Sequence, residues 1–506
     1  MDMRRATFAT LGLVLLPTLQ AYAQEHAHAT EPERLGTVHF ATSCNLAVAP
    51  KFDRAVALVH SFEFGASIRG FKDVLATDST CAIAYWGLAL SRWGNPVAVG
   101  NRGVALLEQG AQWASTGARL GTLNTVTERE RGYLSAVSQL YANFDNRDQP
   151  MRVGAYSRAM EALSAREPAD TEAKIFYAIS LVAAASPTDK TYANQLAAGE
   201  ILEALWAKQP DHPGLAHYII HTYDYPALAH KAEAAAARYA VIAPSAAHAL
   251  HMPSHTFTRV GMWKESVETN ERSNAVAIAA GSIAEAFHAS DYEMYAYLQL
   301  GDYPKAKAIL DKLLGLAARF DPNAITGAAP PAAAYFAMAA IPARWALERG
   351  AWAEAAALEL KTTADFPYAD AMTYFARAIG ASHIGDLAKA RIAVDSLTAI
   401  QQRLTSKNEP YLAEQTAIHR LGAQAWLELA LHQNESALQH MREAAAREDA
   451  TEKSAYSPGP LAPARELLGD MLIALGRHDE AIAEFQAALK KEPNRRHLLQ
   501  RVAYTR

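Results

Sequence analysis

The chain has 506 residues, 50% of them hydrophobic, 9% aromatic and 20% charged, a composition that excludes disorder as the state of the whole molecule. Its 48 Lys and Arg against 53 Asp and Glu leave a formal charge of −5, so no basic field points to a nucleic-acid partner. Two cysteines exclude a disulfide-dense scaffold and a Cys-rich zinc or iron–sulfur protein, while 18 histidines raise the question of where they fall.

At the N-terminus, Met1–Arg5 carries two arginines, Ala6–Leu19 is mostly apolar, and Ala21-Tyr22-Ala23 has the small-x-small form of a cleavage site. Residues 1–23 therefore read as a secretory signal peptide, which predicts a periplasmic or secreted protein with no integral membrane segment after cleavage. Residues 24–38 read as a flexible leader. Cleavage after Ala23 would expose Gln24-Glu25-His26, a pattern able to bind Cu(II) through the amine and the third-residue imidazole. In an oxidising compartment Cys44 and Cys81 are expected to pair; the alternative is a thiolate metal site with His39 or His60.

Beyond Thr30 the apolar residues recur at helical spacing with almost no alternating runs, which predicts an all-α chain. Residues 39–247 contain loosely matched helix pairs, including "FEFGASIRGFKDVL", "CAIAYWGLAL" and "YSRAMEALSAREP". Eight histidines then fall between His212 and His288, where an even spread of 18 over 506 residues would place about three. Among them His217/His221 and His251/His255 are H-x3-H pairs, and residues four apart share a helix face, so each pair can offer two imidazoles to one ion. Pro253 complicates the second pair, because a helix beginning there would leave His248 and His251 in a loop.

Residues 248–506 repeat a more regular frame at Gly301/Ala306/Leu310, Gly350/Ala355, Gly385/Ala390 and Ala437/Met441. Its fullest form runs from Ala464 to Pro493, with Leu468-Gly469, Leu472, Gly476, Ala481, Phe485 and Ala488. These offsets resemble the tetratricopeptide repeat. The resemblance implies a right-handed superhelical solenoid of antiparallel helix pairs, degenerate over 39–247 and continuing through 248–506, with a concave groove suited to a peptide or partner protein. The strings "HPGLAHYIIHTYDYP" and "HMPSH" are similar to those of exported bacterial proteins of this repeat class. "ITGAAPPAAAY" and "YSPGPLAPA" are expected as loops between repeat groups, at the groove's rim.

In the repeat frame, His288, Asp291 and Tyr295 take groove positions 2, 5 and 9, as do His248, His251 and His255 one unit earlier. His217 and His221 take positions 9 and 13 of the unit before, and His60 takes position 13 of the first. This predicts a metal site in the groove, with His217, His221, His251 and His255 as ligands and His60, His248, His288 and Asp291 as further candidates. Neutral imidazoles without thiolate favour copper or zinc, with iron possible. Tyr218, Tyr223, Asp291 and Tyr295 are candidate catalytic groups, with Glu265 a further possible base. The H-E-x-x-H, G-x-S-x-G and P-loop signatures are absent from the sequence. The expected function is an exported, metal-dependent enzyme acting on a small molecule or peptide; the rivals are a metal-free interaction scaffold of the cell envelope and a copper chaperone.

Overall fold

A computed structural model describes residues 33–98, 100–360 and 366–505; the expected signal peptide and most of the leader lie outside them. All regular structure among the described residues is helical, from Ala49–His60 to Arg496–Thr505. The helices end where the sequence permits a left-handed residue. Gly261, Gly281, Gly301, Gly350, Gly385 and Gly476 all have φ between 62 and 78°, and the N–H that follows each glycine reaches the carbonyl five residues back, as in Asp302 to Tyr297 and Arg477 to Leu472. This is the Schellman closure, in which a residue without a Cβ avoids the left-handed penalty.

Such turns fold Ile283–Leu300 back on Tyr303–Ala317, Pro367–His383 on Leu387–Ser406, and Ala464–Ala474 on His478–Lys491. His432, at φ 62°, makes the same turn between Pro410–Ala430 and Asn434–Ala450, which is why that unit lacks the glycine signature. Within the last pair, a Cβ on Gly469 would sit 2.3 Å from the Phe485 ring. The helices therefore close to a distance that only the small-against-large pairing of the repeat allows.

The array also curls on itself. The Asn101 amide bonds to the Glu409 carboxylate, and the Trp263 indole donates to the Asn494 carbonyl. Residues 451–463, between Asn434–Ala450 and Ala464–Ala474, turn inward and bury Glu452, Ser454, Tyr456, Ser457 and Leu461. The first half of the array grips this strap through Lys190 and Tyr192, which donate to Glu452 at 2.6 and 2.8 Å. The second half holds it through Tyr411, which donates to the Glu452 carbonyl, and Arg344, which donates to the carbonyls of Gly459 and Pro460. The stretch "YSPGPLAPA" is thus an inner strap across the concavity, where the sequence suggested a rim. Its three prolines and one glycine leave few backbone N–H groups and side chains to accommodate inside.

No described helix is long and apolar enough to cross a membrane. Cys44 and Cys81 form a disulfide that ties the leading segment to the helix Ala82–Trp93. It closes a sequence separation of 37 residues, for which the chain-entropy estimate is roughly 4 kcal/mol. A Cys44→Ser/Cys81→Ser variant is expected to show that loss as a lower urea midpoint; an unchanged midpoint would contradict it.

Candidate metal centre

Five helices bring the histidines together: Pro213–Thr222 carries His217 and His221, Ala247–His251 carries His248 and His251, Pro253–Arg259 carries His255, Ile283–Leu300 carries His288, and Ala49–His60 ends on His60. Pro253 does not break the path. Met252 keeps right-handed helical angles, φ −53° and ψ −35°, and Pro253 takes the first position of the next helix, where its missing N–H is harmless. His251 and His255 thus stay one turn apart on one face, with their Nε2 atoms 3.0 Å from each other.

The rings form two adjacent trios. One ligand nitrogen from each of His217, His221 and His248 lies within 4.8 Å of the other two, and the same holds for His251, His255 and His288. The trios are neighbours, with ring centroids 6.0 Å apart between His221 and His255 and 5.9 Å between His248 and His251. All six rings are buried.

Hydrogen bonding settles which nitrogens are free. His217 Nδ1 faces the His60 carbonyl at 2.5 Å, His248 Nδ1 faces Glu285 at 2.8 Å, and His255 Nδ1 faces Asp224 at 2.8 Å. His251 Nδ1 lies 2.6 Å from Asn270 Oδ1, and the Asn270 amide is oriented by its donation to the Ser266 carbonyl. Each partner atom is an acceptor, so each Nδ1 carries the hydrogen and each Nε2 presents a lone pair. Nε2 of His217, His221 and His248, and Nδ1 of His288, find no hydrogen-bond partner among the described residues. The facing His251 and His255 Nε2 atoms are then two lone pairs at 3.0 Å. Buried acceptors so arranged are destabilising unless a cation lies among them.

The electrostatics keep the rings neutral. Burial pushes His217, His221 and His251 well below the usual imidazole range. It also takes His255 down to about 4, against the opposing pull of Asp224, and His288 to about 3, against Glu285. Burial alone would raise Asp224, but Lys453, Arg259 and His255 hold it well below the usual carboxylate range. The bracing is crossed. Asp224 follows the helix of the first trio and orients a ring of the second; Glu285 lies on the helix of the second and orients a ring of the first. A carboxylate behind a ligand histidine fixes its tautomer and raises its basicity.

The other candidates are differently engaged. His60 Nε2 and His212 Nε2 share Glu172 at 2.8 and 2.9 Å, and His60 Nδ1 meets the Tyr218 hydroxyl at 3.1 Å. This third cluster is a hydrogen-bonded His–Glu–His bridge, and both nitrogens of His60 are engaged in it. Asp291 faces Arg344 with both oxygens, at 2.9 and 3.4 Å. Tyr223 donates to Glu203, and Tyr295 donates to Glu492. Tyr218 lies against the first trio, its ring centroid 5.3 Å from that of His217, as does Tyr239 at 5.0 Å; the tyrosine against the second trio is Tyr292, which the sequence reading passed over: its ring centroid is 4.9 Å from those of His251 and His255, and its hydroxyl donates to the strap at the Ser457 carbonyl. Lys453 of the strap, 3.1 Å from Asp224, was likewise missed. The carboxylates Asp224 and Glu285 had a signal, since each sits three residues from a site histidine.

A tetratricopeptide-repeat family model matches residues 462–495. No curated protein sequence matches the chain. Among solved structures, the APC/C hetero-tetramer Cut9-Hcn1 is similar at 10% identity and TM-score 0.39, over 90% of this chain and 76% of that one. Yeast Tom70 is similar at 13% identity and TM-score 0.38, over 91% and 95%. Human IFIT1, in a dimer with m7Gppp-AAAA, is similar at 9% identity and TM-score 0.38, over 88% and 94%. Assignment of the chain rests on its own helical pairs and on the repeat at 462–495, whose Gly469, Gly476 and Phe485 perform the packing and turn described above. On those grounds residues 462–495 form a tetratricopeptide repeat, and the helical pairs before them are closed by the same kind of turn.

Proposed function

We propose that the chain is an exported metal-dependent enzyme whose centre holds two transition-metal ions, one in each histidine trio. The observation that carries this reading is the 3.0 Å approach of His251 and His255 Nε2 with both Nδ1 atoms engaged by acceptors. Three imidazole nitrogens leave each ion at least one open position, as in catalytic rather than structural zinc sites. Copper and zinc fit this donor set best, and copper has the higher affinity in the divalent series. Asp224 and Glu285 supply negative charge one bond beyond the rings, offsetting cations held by neutral ligands. A bound ion would polarise a molecule or water at the open position; the protein's part is to keep the rings neutral, fix their tautomers and exclude bulk water. The rival reading of a peptide-binding scaffold is less favoured, because the strap already fills the concavity next to the rings.

Metal analysis of untagged protein, replete with copper and zinc, should return two ions per chain. His217→Ala/His221→Ala and His251→Ala/His255→Ala should each return about one, and His212→Gln should keep two. Wild-type protein without stoichiometric metal would sink the proposal.

The metal-free protein should also be acid-sensitive in a defined window. His255 and His288 take up protons near 6.5 when unfolded but only near 4 and 3 when folded. Unfolding therefore gains protons as pH falls below about 6.5, and stability declines until those lower values are passed. Thermal midpoints recorded from pH 7.5 to 4 should fall steadily, and a flat profile would contradict neutral buried rings.

A further inference from the structure

The loop 325–332, part of the stretch "ITGAAPPAAAY", meets segments 91–106 and 404–412 around a cavity of about 550 Å³, within the ~300–1,000 Å³ range of small-molecule sites. No histidine of either trio lines it. Phe64, Leu106, Phe366, Leu404 and Leu412 give it apolar walls, and its charged lining residues among those described are Arg92, Arg102, Lys407 and Glu409.

These charges do not cancel. Arg92 makes no hydrogen bond or ion pair with any described residue, and its Nε–H is buried without an acceptor. Arg102 donates to the carbonyls of Trp93, Asn95, Ala98 and Gly100, which uses four of its five N–H groups and leaves one on Nη2. Carbonyls offer it dipoles and no counter-charge. The single carboxylate, Glu409, is taken up by the Asn101 backbone N–H and side-chain amide, each at 3.2 Å, and acts on Arg102 only from a distance. Burial holds both guanidiniums below the usual arginine range, as it does when a charge loses water and gains no partner in return. Even apart from the exposed Lys407, two guanidiniums therefore stand against one engaged carboxylate in an otherwise apolar chamber.

We infer that this cavity binds an organic oxyanion, with its carboxylate or phosphate head on Arg92 and Arg102 and its apolar body against Phe64, Leu106, Phe366, Leu404 and Leu412. An oxyanion accepts charge-assisted bonds from guanidinium N–H groups, about twice as strong as neutral ones, whereas a neutral head leaves both charges unmatched. Because no trio histidine lines the cavity, the site stands apart from the metal reading. A ligand seated there touches segments from both halves of the array, so it should also raise the thermal midpoint.

The test uses full-length protein, with and without added copper or zinc, and three probes that share one chain: octanoate, octyl phosphate and octan-1-ol. Calorimetry at pH 7 should show octanoate or octyl phosphate binding one site per chain at least tenfold more tightly than octan-1-ol. The affinity should be the same at either metal content, and the tighter anion identifies the head group. Arg92→Met should weaken that anion at least tenfold and leave octan-1-ol unchanged, while Arg92→Lys, which keeps the charge, should recover most of the binding. Since Arg92 holds no partner among the described residues, the methionine variant should keep the wild-type thermal midpoint without ligand. Should it not fold, Ala332→Trp, which fills the cavity, serves in its place and should abolish binding of anion and alcohol alike. Octan-1-ol as tight as both anions, anion affinity unchanged in Arg92→Met, or anion binding preserved in Ala332→Trp would overturn the inference. Anion binding that appears only with added metal would overturn it too, because it would put the head on the histidine centre.

Discussion

Four histidines of the two trios have a ring nitrogen that faces no partner, and the remaining two turn theirs toward each other. That constraint organises everything around it. An imidazole with its Nδ1–H engaged is a pure acceptor at Nε2, and several acceptors in a dry space repel. The fold nevertheless assembles them with care: Asn270, Asp224, Glu285 and the His60 carbonyl each fix one ring. Such an arrangement has a physical rationale when the missing component is a cation, since the acceptors then become ligands. The His60–Glu172–His212 cluster is the internal comparison. It has the same burial, but there a carboxylate lies between the rings and engages the Nε2 atom of each.

The crossed bracing makes the two trios interdependent. A shift of the helix Ile283–Leu300 would move His288 in one trio and, through Glu285, the tautomer-fixing partner of His248 in the other. A shift after Thr222 would act in the opposite direction through Asp224 and His255. Arg344 steadies the first of these helices, because its guanidinium joins Asp291 on that helix to the strap carbonyls of Gly459 and Pro460. Asp291 thus has a positioning role, although its place in the repeat frame gave it the look of a ligand.

The fold was legible because its rules are local. A glycine after each first helix and small residues opposite large ones are patterns of a few residues, and the Ala464–Pro493 unit holds all of them. Where a non-glycine makes the turn, at His432, the pattern faded although the geometry did not. The histidines were legible because ligands on a helix repeat every four residues, and the repeat frame added His248 and His288. The frame also pointed to His60, Asp291 and Tyr295, because it specifies a face and not a partner. Their partners, Glu172, Arg344 and Glu492, are 53 to 197 residues away in the chain. The strap was illegible for the same reason: proline and glycine announce a loop but not the side on which it passes.

The strap also alters how the array can come apart. A solenoid is ordinarily a stack of neighbours, able to fray from either end while the middle stands. Here Lys190 and Tyr192 hold Glu452, and Asn101 holds Glu409, so repeats hundreds of residues apart are latched to one another. Closing such long loops is slow, and it makes the halves cooperative. The histidine cavity is therefore walled only when the C-terminal hairpins have arrived, and its walls come apart only when those latches let go.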